Sequence, residues 1–125
     1  MKRKIETETA PKAIGPYSQA IKSGKTVYFS GQIPLDPNTM NLISSDVHTQ
    51  TIQVFKNLEA VSKAAGGSLE AIVKLTIYLV DLAHFAMVNE CMMQFFKEPF
   101  PARTTLQVSA LPKLAQIEID AVMVV

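Results

Sequence analysis

The chain has a single cysteine, Cys91, so no internal disulfide can form, and a reducing compartment is expected. No apolar run approaches the ~20 residues a membrane span needs. The polar amino terminus also lacks the apolar core of a secretory signal, so a cytoplasmic location with no membrane partner is expected. Basic residues gather nowhere beyond Lys2-Arg3-Lys4, and 12 Lys and Arg against 11 Asp and Glu leave a formal charge of +1. Nucleic-acid binding, which draws on clustered phosphate neutralisation, is disfavoured. The five glycines form no phosphate-cradling loop. Ser18 and Ser30 have no adjacent His–Asp arrangement, which argues against a serine hydrolase. His48 and His84 lie near the starts of two different helices without ligand spacing, so no metal is expected.

What is present is a globular chain of 125 residues, enough for one domain, 1–125, with a core of its own. Hydrophobic residues reach 48% and charged residues 18%, an apolar excess that points to subunit contacts. Residues 3–7 alternate weakly as an edge strand, and 9–17, with Pro11, Gly15 and Pro16, read as an ordered loop. Strands over 18–22 and 26–30 flank Ser23-Gly24-Lys25, a hairpin signal. A helix is predicted from Asp46 to Ala65, with Ser45 as its N-cap and Gly66-Gly67 as its stop. Val47, Val54, Leu58, Val61 and Ala65 form its apolar stripe. Residues 72–80 read as a central strand. Asp81 then caps a second helix to about Phe96, with Phe85, Val88, Met92 and Phe95 facing inward. Two last strands cover 104–108 and 116–125. The order gives an α+β domain, a mixed sheet with two helices on one face, whose other face another subunit covers.

Along the first of those last strands, Arg103, Thr105, Gln107 and Ser109 point to one side. A guanidinium beside small hydroxyls suits a carboxylate, because its forked donors match both oxygens. On the final strand, Glu118 and Asp120 share a face with Val122 and Val124. A carboxylate in that apolar setting is costly unless paired, wet or protonated. Two readings stand: a small site with one cation for an anionic substrate and one carboxylate for a proton, or a plain cross-strand ion pair. If the two strands form a hairpin across 110–115, Glu118 falls opposite Gln107 and away from Arg103, which favours the site. Tyr17, Ser30 and Asn89 each have a packing or turn explanation. Cys91 and the methionines Met87, Met92 and Met93 read as packing.

An ordered set of motifs runs nearly end to end. It begins with Ile14-Gly15-Pro16-Tyr17-Ser18-Gln19-Ala20, Phe29-Ser30-Gly31-Gln32-Ile33-Pro34 and Asn57-Leu58. It continues with Ile77-Tyr78-Leu79-Val80-Asp81, Phe85, Asn89 and Phe96. Pro101-Ala102-Arg103-Thr104, Leu111-Pro112-Lys113 and Ile117-Glu118-Ile119 complete it. The set resembles the YjgF/RidA family, the reactive enamine/imine intermediate deaminases. The resemblance implies a chorismate-mutase-like α+β domain assembled as a homotrimer, with clefts between subunits. It implies hydrolysis of 2-imino acids such as 2-iminobutanoate and 2-iminopropanoate, or their enamine tautomers, to 2-keto acids and ammonia, with no cofactor or metal. On that resemblance Arg103 holds the substrate carboxylate and Glu118 orients water and shuttles its proton. Tyr17, Ser30, Gly31, Asn89 and Thr105 line the cleft. Two departures stand out: Thr105 sits where some relatives carry cysteine, and Met40 where a glycine often follows Thr. The competing readings are an endoribonuclease or translation inhibitor, and a non-catalytic binder of 2-keto carboxylates.

Overall fold

The computed structural model describes residues 1–125. Strands β1 (Lys2–Ile5), β2 (Ala20–Ser23) and β3 (Thr26–Gln32) come first, then helix α1 (Val47–Ala64) and strand β4 (Ile72–Leu79). Helix α2 (Phe85–Phe95), strand β5 (Ala102–Gln107) and strand β6 (Ile117–Val124) complete the chain. All six strands form one sheet in the order β1-β2-β3-β6-β4-β5.

Alternation explains most of this arrangement. In β4, Ile72, Leu75, Ile77 and Leu79 are buried, and in β6 so are Ile117, Ile119, Ala121 and Met123. Leu75 and Ile77 meet Ala121 and Ile119 across the ladder, and Ile72 meets Met123 beyond a register shift, so these positions form a continuous floor for the helices. The β2–β3 hairpin turns at Gly24, whose φ of +62° is readily adopted without a side chain. α1 lies on β3 and β6 and against α2. It buries Val54, Phe55, Leu58 and Val61, and each such side chain contributes roughly 1.5–3 kcal/mol. The Phe55 ring stacks on Phe95 at 5.2 Å and meets the edge of Phe96 at 5.8 Å, which locks the two helices together.

Several expectations are corrected. The last two strands do not form a hairpin. β5 runs parallel to β4, with Arg103 opposite Leu75, while β6 runs antiparallel to both β4 and β3. The partner of Glu118 is therefore Tyr78 and not Gln107. The N-cap of α1 is Asp46, whose side chain accepts from the Thr49 amide, and not Ser45. Asp81 caps a single tight turn, Leu82–His84, and α2 begins only at Phe85. Phe85 is not inward: it is 41% exposed. The first strand is shifted to Lys2–Ile5, with all three of its basic residues exposed, which blunts that sheet edge against foreign strands.

No helix lies on the second face of the sheet. There Tyr28 is 54% and Val124 47% exposed, with Val122 opposite Tyr28 in the ladder.

Candidate functional site

Pro101 precedes β5, and Arg103 is its second residue. Its partner Leu75 is fully buried under the helices, so parity sends the guanidinium to the helix side, against α2. There Nη1 donates to the Asn89 carboxamide oxygen at 2.6 Å and contacts the Met92 sulfur at 3.7 Å. The guanidinium carbon stands 5.1 Å from the centre of the Phe85 ring, a cation–π arrangement that explains the exposed position of that phenylalanine. All of these partners are neutral. The chain's one ion pair is Lys4–Glu6, so Arg103 meets no carboxylate and keeps most of its five donors free. Asn89, Met92, Met93, Phe100, Pro101 and Arg103 enclose a cavity of about 330 Å³. Thr105 points the same way from its place opposite Ile77. Its hydroxyl is buried and has no hydrogen-bond partner.

Glu118 faces the other side of the sheet, because its neighbours Ile117 and Ile119 fill the core. β3 is irregular between Phe29 and Gln32, where it pairs with β6. This irregularity brings Gly31 over the Glu118 side chain: a Cβ on Gly31 would overlap Glu118 Oε2. A side chain at this position would displace the Glu118 carboxyl from where it lies. Glu118 makes no ion pair in the chain, and burial pushes its carboxyl above the usual range, with the Asp120 charge adding to the effect. The Tyr78 hydroxyl donates to Asp120 Oδ2 at 2.9 Å, a bond that raises the Tyr78 phenol. Ser30, next to Gly31, donates its amide to the Gln19 carbonyl at 3.0 Å and its hydroxyl to the Ser18 carbonyl. Tyr17, 49% exposed, accepts from the Ile14 amide at 3.3 Å and shares a small recess with Gly31.

Two amides that support this region were not singled out by pattern. Buried Gln19 accepts from the Thr7 amide at 2.7 Å and donates to the Thr7 and Pro11 carbonyls at 3.0 and 2.8 Å, so it ties down the loop that carries Tyr17. Asn57 on α1 donates to the Ile33 and Leu35 carbonyls and fixes the chain as it leaves β3. Neither has a periodic signature; only the resemblance included them in its motifs. Cys91 is buried, and its Sγ donates weakly to the Met87 sulfur at 3.7 Å. No three His, Cys, Asp or Glu side chains converge as a metal site would require.

The predicted residues thus fall into two groups. Arg103, Asn89 and Thr105 gather on the helix side, at the β5 edge. Tyr17, Ser30, Gly31 and Glu118 gather around β3 and β6, with Glu118 facing the opposite side. The two groups do not meet within one chain, and the cross-strand ion pair between Arg103 and Glu118 does not form.

The family described as Endoribonuclease L-PSP matches residues 7–125. A RutC family protein of Pyrococcus horikoshii is 49% identical over 98% of this chain and 97% of its own length. A human protein named 2-iminobutanoate/2-iminopropanoate deaminase is 47% identical over 99% of this chain and 90% of its own. The crystal structure of RidA from the Antarctic bacterium Psychrobacter sp. superposes with a TM-score of 0.96 at 46% identity, over 98% of this chain and 99% of that one. With matches that span nearly its whole length, in sequence and in fold, the chain belongs to the YjgF/RidA family.

Proposed function

We propose that the protein hydrolyses 2-imino acids and their enamine tautomers, 2-iminobutanoate and 2-iminopropanoate among them, to 2-keto acids and ammonia. The observation that carries the reading is a guanidinium without a carboxylate partner at the mouth of an apolar cavity, on a chain that also holds an unpaired, proton-retentive carboxyl. The name of the human relative supports the substrate class.

Arg103 and Thr105 take the substrate carboxylate, with Asn89 bracing the guanidinium from behind. A charged hydrogen bond of this kind contributes roughly 1.5–3 kcal/mol. Glu118 removes a proton from water as its oxygen attacks the imine carbon, and the C=N electron pair moves to nitrogen. The proton passes on to that nitrogen. The carbinolamine then collapses: its hydroxyl proton passes, by way of Glu118, to the amino nitrogen, the C–N bond breaks as C=O forms, and ammonia leaves. Tyr17, Ser30 and the Gly31 backbone line the cleft.

Because the two groups of residues lie apart in one chain, the site is completed by a second copy. The uncovered sheet face supports a homotrimer in which residues 1–125 act as one domain and sites lie between subunits. Two experiments test this. Added to a dehydratase acting on threonine, the protein is expected to speed formation of 2-ketobutyrate. Keto-acid binding without acceleration would make it a binder instead. Inactive Arg103→Ala and Glu118→Gln chains, mixed after unfolding and refolded together, are expected to regain activity, since some interfaces then hold one intact half from each. No regain would refute the shared site. The family description favours an endoribonuclease as the second reading, to which RNA cleavage abolished by Arg103→Ala would point.

A further inference from the structure

Tyr78 and Asp120 lie outside the cleft residues described above, yet they are hydrogen-bonded to each other on the same face as Glu118. Tyr78 is the cross-strand partner of Glu118, and Asp120 is the next residue of β6 on the same face. The phenol reaches diagonally across the ladder to Asp120 Oδ2 at 2.9 Å, so its ring lies beside the Glu118 side chain. Gly31 of β3 closes the other flank, with no atom between its backbone and the carboxyl. No cation intervenes: the chain's one ion pair is far along β1, and neither acid joins it.

We propose that Tyr78 and Asp120 are positioning residues for Glu118: the phenol pins the Asp120 carboxylate in place, and that fixed negative charge makes the Glu118 carboxyl a stronger proton acceptor. The inference rests on the reading of Glu118 as the group that moves the proton. Its logic is that of paired carboxylates, in which a like charge at fixed distance lifts the proton affinity of its neighbour. The phenol's hydrogen bond holds the Asp120 carboxylate at a fixed place on the Glu118 face, so the two acids divide the work: Asp120 supplies the charge and Glu118 moves the proton. Burial and the Asp120 charge both act on Glu118 in this direction. The other titratable groups on this face stand further off. Lys74 of β4 pairs with Val122, two residues beyond Asp120 along β6, and Tyr28 of β3 meets the same valine. From the loop before β2, Lys12 and Tyr17 border the Gly31 recess.

The test follows the Glu118 carboxyl carbon by NMR through a pH titration of the full-length, ligand-free protein, with Glu118→Gln identifying the signal. The pH profile of kcat/KM is recorded alongside. Asp120→Asn is expected to lower the Glu118 midpoint by about 0.5–1 pH unit, and the acid limb of kcat/KM should move with it. Tyr78→Phe should move both the same way by less, because the freed carboxylate turns toward water. Asp120→Glu, which keeps the charge, should restore both. An unmoved or raised midpoint in folded Asp120→Asn overturns the proposal, and so does a midpoint that moves while the acid limb stays. If Asp120→Asn does not fold, Tyr78→Phe decides by the same criteria. If wild-type protein turns over no imine while the midpoint still shifts, the deaminase reading fails and the hold of the pair on Glu118 stands.

Discussion

Arg103 donates to the Asn89 carboxamide at 2.6 Å and has no acidic partner anywhere in the chain. A guanidinium held by a neutral oxygen is aimed without being neutralised, so its charge remains available to an incoming anion. Arg103→Ala is therefore expected to lose roughly 2–5 kcal/mol of substrate interaction. That corresponds to a fall in kcat/KM on the order of thirtyfold or more, with little change in melting temperature. A fall below about threefold in steady-state kinetics would contradict the role.

Glu118→Gln is expected to cut kcat by about 10²–10⁴ while the fold is kept, because an amide cannot accept the proton. Its effect on stability runs the other way. The folded protein holds the Glu118 proton more tightly than the unfolded chain does. Wild-type stability therefore declines as pH rises from the unfolded value through the folded one, and the loss persists at neutral pH. The melting temperature of Glu118→Gln relative to wild type should consequently climb as pH rises past the ordinary glutamate value of about 4.3. A flat difference across the scan would show that the carboxyl is not perturbed.

Gly31→Ala places a methyl carbon where Glu118 Oε2 lies. The side chain is flexible and moves aside, so folding should survive. Turnover is expected to drop at least about tenfold, the equivalent of 1.4 kcal/mol of lost transition-state stabilisation. Normal turnover would mean that the carboxyl works from another position.

Thr105→Val separates two duties of one hydroxyl. Its oxygen is buried without a partner, so the near-isosteric valine should be neutral or stabilising, by up to about 1–3 kcal/mol. If that hydroxyl serves the substrate carboxylate, kcat/KM falls about ten- to a hundredfold at the same time, the value of one hydrogen bond to a charged group. Chemical denaturation and kinetics on the same sample read both.

Met40 adopts φ +63°, in the left-handed region that disfavours a side chain, within the turn where its amide donates to the Asp36 carbonyl. Met40→Gly removes a cost of roughly 1–2 kcal/mol and adds about 0.4–1 kcal/mol of unfolded-state entropy. A small net gain is expected, seen as a higher urea midpoint at unchanged slope. A lower midpoint would show that the methionine side chain contributes more than its backbone costs.

Local pattern revealed much of this architecture. The stripe of Val54, Leu58, Val61 and Ala65 marked α1, and alternation marked the buried side of β6, because both periods come from the geometry of a single element. Pairing is a property of two elements, and there the reading failed. The nine residues from 108 to 116 suit a hairpin, yet at roughly 3.3 Å each they are also long enough to pass over an intervening strand. The chain takes that second course, and β6 enters beyond β4. The site shows the same division. Parity correctly grouped Arg103 with Thr105, but whether their side of the sheet was also that of Glu118 could not be read without the ladder. The identities of Tyr17, Ser30, Gly31 and Asn89 came from the motif resemblance, since nothing in their local spacing distinguishes them from turn and packing residues.

The position of β6 has a consequence for biogenesis. The β1-β2-β3 ribbon and the β4-β5 pair share no ladder except through it. During translation each fragment presents a bare row of amides and carbonyls until residues 117–124 leave the ribosome tunnel. The emerging chain is thus most vulnerable to wrong partners before β6 appears, and that strand acts as the keystone that closes both exposed edges in one event.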